Sequence, residues 1–329
     1  MDAVLAFKTG AEPLGKEATE GLAIANMTGA NRLLIGLAWP LVFLVFALKT
    51  GSWRLIVSRE RSLDLVFLAI ATFYVIFLPL RSSVSLVDTI VLVSLFTMYI
   101  LLTVRASNEE EHELVGPAEV MGKLTTLPRR ITVLVIMAFS ALVIFASAEP
   151  FAEGLVETGE KLGVSEFLLI QWIAPLASEA PEVILAIMLT LRGRASVGMG
   201  ALISSKVNQW TLLIGTLPVA WAVGSGNWSF LSGLPLDGRQ QQEIFLTAAQ
   251  SAFAVVAFLN LRLERPEALA LFLLFGIQLF IPYAEVRIGF GIGYLVLCTL
   301  LLIKHREDIP KLFQYAWATV KGVSSPKIT

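Results

Sequence analysis

The sequence predicts an all-α polytopic membrane protein built from two inverted halves. Three observations predict it. Of 329 residues, 56% are hydrophobic and only 16% charged, with mean hydropathy +0.75; soluble domains carry ~25% charged residues. Nine apolar runs approach or exceed the ~20 residues that cross a hydrocarbon core. They are 30–48, 64–80, 86–104, 131–150, 164–191, 197–223, 244–261, 267–283 and 287–303. A sixteen-residue segment also recurs within the chain.

The runs are continuously apolar, so they read as helices; a β-barrel would alternate in ten-residue segments. Cys298 is the single cysteine and, with two histidines, leaves no structural zinc cluster to build. No basic patch with interleaved aromatics is present, which excludes nucleic-acid binding. Met1 to Phe7 has no basic leader region and is too short to span; it reads as the end of a helix.

Lys and Arg set the orientation. Numbering the connections alternately puts 17 on one side and 6 on the other, with Arg32 and Lys206 inside spans. The rich side is cytoplasmic, and the C-terminus lies there. Residues 1–104 form a first membrane half, 105–130 a cytoplasmic linker, 131–303 a second half and 304–329 a cytoplasmic tail. The linker's acidic run, Glu109-Glu110-Glu111-His112-Glu113, reads as solvated. Glu149, Glu153 and Glu157 are placed on a solvated face at the outer end of a long helix over 131–162. Trp210 and Trp221 are read as packing or belt residues, and the tail, with Phe313, Tyr315 and Trp317, as a helix on the inner membrane surface.

Gly21 to Gly36 aligns without gaps on Gly200 to Gly215, with six identities in sixteen positions. The orientation makes the two copies inverted, the architecture of many secondary transporters, whose sites lie at the midplane on interrupted helices. That points to 21–36 and to 174–215. Within the latter, Ala174-Pro-Leu-Ala-Ser-Glu-Ala-Pro-Glu-Val183 sits mid-span. Ionisable groups there are costly and usually functional. Pro175 and Pro181 free backbone carbonyls. Those carbonyls, the Ser178 hydroxyl and the Glu179 and Glu182 carboxylates make a hard-oxygen set suited to Ca²⁺ or Na⁺, with Glu179 and Glu182 as candidate metal ligands. Lys206 lies too deep to snorkel and must pair or lose its proton; Glu179 and Glu182 are the expected partners. Ser204, Ser205, Asn208 and Gln209 add polar groups on the same helix.

At these residues the chain resembles the cation/Ca²⁺ exchanger superfamily, of the sodium/calcium exchanger type. Its second alpha-repeat carries Gly-Thr-Ser-x-Pro-Glu, then Gly-Asn-x-x-Gly-Ser-Asn on the next helix. Ala177-Ser178-Glu179-Ala180-Pro181-Glu182 and Gly200-Ala201-Leu202-Ile203-Ser204-Ser205-Lys206 stand in their places. The resemblance implies an inverted-repeat helix bundle with alpha-repeat 2 over about 164–223, and Glu182 as an acidic ligand. Ser178 and Ser205 keep the family hydroxyls. Glu179 replaces a serine, Ala201 an asparagine, and Lys206 an asparagine or aspartate that helps bind cations. A positive charge there repels one cation or competes with it, which implies reduced exchange or proton-linked exchange with Lys206 and Glu179 as proton carriers.

The first repeat reads as N-terminally incomplete. Aligning Asp2–Ala6 on Glu182–Ala186 makes Asp2 the equivalent acid; aligning Gly10 on Gly193 puts it upstream of Met1. Asn26 and Asn31 are the polar candidates on this side, and Gly29-Ala30-Asn31 mimics Gly-Ser-Asn four residues late by the ungapped alignment. An upstream segment or a separate chain is expected to supply the missing helices.

The implied function is secondary active antiport of Ca²⁺ or Na⁺ against Na⁺ or H⁺ across a bacterial-type inner or plasma membrane. The expected partners are the lipid bilayer and inorganic cations, with no resident cofactor. The alternative is a transport-inactive scaffold in which a Lys206–carboxylate pair replaces the ion. An intramembrane enzyme is disfavoured, since no Ser/His dyad or histidine pair lies within a span.

Overall fold

Apolar helices dominate because a bilayer offers the backbone no outside hydrogen-bond partner. The structure, a computed structural model, describes residues 2–11, 21–106, 117–163, 166–231, 233–279, 281 and 283–322. The acidic run 109–113 lies outside them. The first half comprises α1 (Asp2–Ala11), α2 (Leu22–Leu33), a π turn (Leu34–Ala38), α3 (Trp39–Thr50), β1 (Arg54–Ile56), α4 (Arg61–Val75), β2 (Ser83–Val84) and α5 (Leu86–Ala106). A short α6 (Pro117–Gly122) leads into α7 (Thr126–Leu162) and α8 (Glu166–Leu191). Then come α9 (Ala195–Asn208), a second π turn (Gln209–Leu213), α10 (Ile214–Ser225), β3 (Leu234–Pro235), α11 (Gly238–Ala257), β4 (Arg262–Glu264), α12 (Arg265–Leu279), α13 (Ala284–Lys304) and α14 (Asp308–Val320).

Among the described residues, six helices are long and apolar enough to cross a bilayer: Leu22–Thr50, Arg61–Leu80, Leu86–Ala106, Thr126–Ile144, Leu168–Leu191 and Ala284–Lys304. The other three predicted spans are also helical, as α9–α10, α11 and α12, but more polar or shorter. α11 shows why. It buries Gln240, Glu243, Thr247, Gln250 and Ser251 among other helices, and a helix shielded from lipid need not be apolar all round.

Two short antiparallel ribbons display the inverted relation. β1 pairs with β4, and β2 with β3. β1 follows α3 and β4 follows α11; β3 follows α10 and β2 follows α4. Each ribbon thus joins the same two places of the two halves, and α4 separates the ribbons to opposite ends. The two π turns fix the register between halves. Leu34–Ala38 and Gln209–Leu213 lie 175 residues apart, as do Asn31 and Lys206. This corrects the ungapped alignment by one helical turn. The Leu-Leu-Ile-Gly identity that drove that alignment is low-complexity apolar sequence, whereas the π turns mark backbone geometry, a frequent accompaniment of function.

Close backbone contact holds the helices where lipid supplies no hydrophobic drive. α1 packs along α10, α2 along α8 and α11 along α13. A Cβ on Gly29 would lie 1.8 Å from the Gln171 carbonyl oxygen of α8, and Pro175, four residues on, has no N–H for that carbonyl. Gly29→Ala is therefore expected to force α2 from α8 and lower stability by about 1–3 kcal/mol or more. Thermal unfolding in detergent checks this; an unchanged Tm would refute so tight a contact.

α7 is a single helix, as expected over 131–162. Its Glu153 is exposed and meets Lys8 of α1 at 2.9 Å, and Glu157 meets Lys161 at 2.5 Å, in keeping with a solvated face. Trp221 is half-buried against the core. α14 buries Leu312 and Ala316 and leaves Phe313 and Trp317 exposed. It packs on α4, with the Arg59 guanidinium 4.5 Å from the Tyr315 ring centre.

Candidate functional site

Two amide–carboxylate pairs define the site. On α8, Glu179 accepts a hydrogen bond from Gln209 Nε2 in the second π turn, at 2.5 Å. In the first half, Asp2 of α1 accepts one from Asn26 of α2. In both pairs the amide's own oxygen, Gln209 Oε1 or Asn26 Oδ1, is buried with no hydrogen-bond partner among the described residues. A buried, unpartnered acceptor costs free energy unless something occupies it. A hard cation is a natural occupant of oxygens beside carboxylates. The carboxylates of Glu182 and Asp2 both act electrostatically on Glu179, so the three acids belong to one region.

Glu182 is exposed and makes no hydrogen bond or ion pair among the described residues. Ser178 is weakly engaged, donating to the Pro175 carbonyl at 3.4 Å and to Glu179 at 3.5 Å. Pro181 has no N–H to give the Ala177 carbonyl, so that oxygen adds to the polar set. No group of three or more His, Cys, Asp or Glu side chains able to hold a metal occurs among the described residues. A cation here therefore needs neutral oxygens as well as carboxylates.

Lys206 departs from expectation. It is fully buried, and its hydrogen bonds go to Asn31 rather than to Glu179 or Glu182. Nζ lies 2.5 Å from Asn31 Oδ1 and 3.4 Å from the Asn31 carbonyl, and 4.2 Å from the Trp210 ring centre. The expected Lys206–carboxylate pair is thus corrected. Asn31 of α2 and Lys206 of α9 occupy equivalent points of the two halves and face each other, whereas Gln209 meets Glu179. Trp210, read as packing or belt, is a fully buried platform beneath the ammonium, a cation–π geometry. Asn31 Nδ2 in turn donates to the Met27 carbonyl at 2.8 Å, which fixes the amide with its oxygen toward Lys206.

Ser204 is drawn elsewhere. Its hydroxyl donates to Asp64 of α4 at 3.2 Å, and Asp64 also accepts from Tyr99 at 2.9 Å and pairs with Arg61 at 3.2 Å. Ser205 is half-buried. Sequence reasoning missed Asp64 and Glu243, which is 2% exposed and 2.6 Å from Arg32. Asp64 opens the 64–80 run and Glu243 immediately precedes the 244–261 run, margins at which a charge does not stand out.

Inverted halves, interrupted helices at equivalent points and carboxylates within the helix bundle define a secondary transporter. The chain belongs to the sodium/calcium exchanger protein family, which matches residues 5–105 and 132–284. It is similar to a solved H⁺/Ca²⁺ exchanger, CAX, at 43% identity and a TM-score of 0.91, over 97% of this chain and 79% of that one. Two structures of the sodium–calcium exchanger NCX_Mj, soaked with Na⁺ and Sr²⁺, share the fold at 20% identity. Their TM-scores are 0.54 and 0.52, over 84% of this chain and 80% and 81% of theirs. No curated protein sequence matches the chain.

Proposed function

We propose that this exchanger moves Ca²⁺ against H⁺, with Glu179 and Glu182 as its acidic cation ligands and Asp2 as a further acid of the transport region. Ser178, Ser205, Asn26 and Gln209 supply neutral oxygens. The observation that carries the reading is Lys206 seated on Asn31. An amine at the place where the family has a cation-binding amide or acid fills one cation position. That removes room for several Na⁺ and leaves protons as the economical counter-ion. The identity shared with an H⁺/Ca²⁺ exchanger supports the same choice. The scaffold alternative drew on a Lys206–carboxylate pair and loses that support.

The test is Ca²⁺ and pH dye traces in proteoliposomes under imposed H⁺ or Na⁺ gradients. Ca²⁺ movement driven by a pH gradient and indifferent to Na⁺ is expected. Movement driven by Na⁺ alone would refute proton coupling.

The membrane is a bacterial-type inner or plasma membrane with the C-terminus in the cytoplasm, supported by the 17-to-6 Lys and Arg asymmetry. A reporter fluorescent only in the cytoplasm, fused after Thr329, is expected to fluoresce. A reporter active only outside, fused at the same place, is expected to be silent.

A further inference from the structure

We propose that the buried Arg32–Glu243 ion pair is a positioning element for the cation site. It holds α2 so that Asn31 stays on Lys206. The inference rests on the exchange reading above. Arg32 immediately follows Asn31 and is 2% exposed. Its guanidinium lies 2.6 Å from Glu243 of α11, donates to Gln278 of α12 at 3.4 Å, and stacks 4.9 Å from the Trp172 ring centre of α8. Gln250 of α11 donates to the Arg32 backbone carbonyl at 3.4 Å. One side chain thus ties α2 to three helices, including the helix that carries Glu179 and Glu182. Arg287 of α13 stands 3.6 Å from Glu243 on its other flank and also binds Gln242.

In the other half the corresponding helices are joined near the site as well, by a hydrogen bond in place of an ion pair. With α2 equivalent to α9 and α4 to α11, the counterpart contact is Ser204 on Asp64, two residues before Lys206. Each acid of one half therefore grips the site-bearing helix of the opposite half, beside Asn31 in one case and Lys206 in the other. A buried ion pair is a weak stabiliser, because desolvation offsets much of its attraction.

That weakness supplies the test. Glu243→Leu strands a buried guanidinium, and its Tm is expected to fall. Arg32→Met with Glu243→Leu removes the stranded Arg32 guanidinium, leaves Arg287 its bonds to Gln242, and is expected to recover most of the Tm. Two readouts that bulk stability does not move are then taken on the double variant. The first is the half-saturation for Ca²⁺ in proteoliposomes, expected to rise roughly 10- to 100-fold, as for groups that orient metal ligands. The second is the ¹⁹F resonance of Trp210 in fluorotryptophan-labelled protein, assigned by Trp210→Phe. It is expected to shift as Nζ leaves the ring. Should the apolar pair misfold, Arg32→Lys, which keeps the charge without the planar fork, is measured in its place. A folded variant with an unmoved Trp210 resonance or a wild-type half-saturation overturns the inference. Absence of Ca²⁺ flux in the wild type instead refutes the exchange reading, and the resonance alone then decides the positioning role.

Discussion

Glu182→Gln is expected to abolish proton-driven Ca²⁺ movement while leaving the protein folded. The side chain is exposed and unpartnered among the described residues, so its neutral isostere should change stability by no more than about 0.5 kcal/mol. Ca²⁺ affinity, in contrast, follows the number of charged ligands. Loss of a directly coordinating carboxylate should cost at least the roughly 10- to 100-fold seen for outer-shell groups. Glu179→Gln makes the informative comparison. It removes the same charge, and it also sets one amide against another at Gln209, where a 2.5 Å amide–carboxylate bond now stands. Its flux is expected to fall equally and its Tm to fall as well. A Glu182→Gln protein that transports at the wild-type rate would remove Glu182 from the site and leave Asp2 and Glu179 as the acids of the region.

Lys206→Ala is expected to change which ions couple rather than simply to reduce transport. The ammonium is held by Asn31 and Trp210, away from direct contact with the carboxylates, yet it acts electrostatically with Glu179. At an effective dielectric of about 20, unit charges ~4 Å apart interact by ~4 kcal/mol. Across a longer gap a share on the order of 1–3 kcal/mol is expected, or roughly 10- to 100-fold in affinity. Removing the positive charge should therefore tighten cation binding, admit Na⁺ as a competitor and flatten the pH profile of Ca²⁺ uptake. The measurement is Ca²⁺ half-saturation across a pH series, with and without Na⁺. An unchanged ion dependence and pH profile would show that Lys206 serves only to join α2 to α9. Asn31→Leu separates the two roles, since it removes the ammonium's partner but keeps the charge. Its stability should drop by about 1–3 kcal/mol, the cost of a buried donor left unsatisfied, and its Tm with it.

The acids on α8 were legible because of where they stand. A carboxylate in the middle of an apolar run is expensive, so two of them, flanked by Pro175 and Pro181, stood out without any fold in hand. Asn26, Asn31 and Gln209 were legible only as polar residues on the right helices. Their partners lie 24, 175 and 30 residues away. Lys206 was flagged by its depth, but its partner was misassigned, because proximity in sequence favoured Glu179. Asp64 and Glu243 were invisible for the opposite reason: each stands at the margin of an apolar run, where a charge costs nothing if the run begins one residue later. Only when α4 and α11 are packed inside the bundle do these positions become buried, at 3% and 2% side-chain exposure.

By itself the sequence determined the membrane, the helices and the inverted duplication. Each follows from local composition or from a count, and the bilayer imposes the same rule on every residue wherever it sits. The tertiary structure alone decided the register between halves, the Asn31–Lys206 contact and the Arg32–Glu243 ion pair beside it. These are contacts between helices distant in sequence, selected by the match of small residues such as Gly29 to an opposing backbone and by the need of each buried polar atom for a partner. Neither condition has a period or a spacing that a single chain, read end to end, displays.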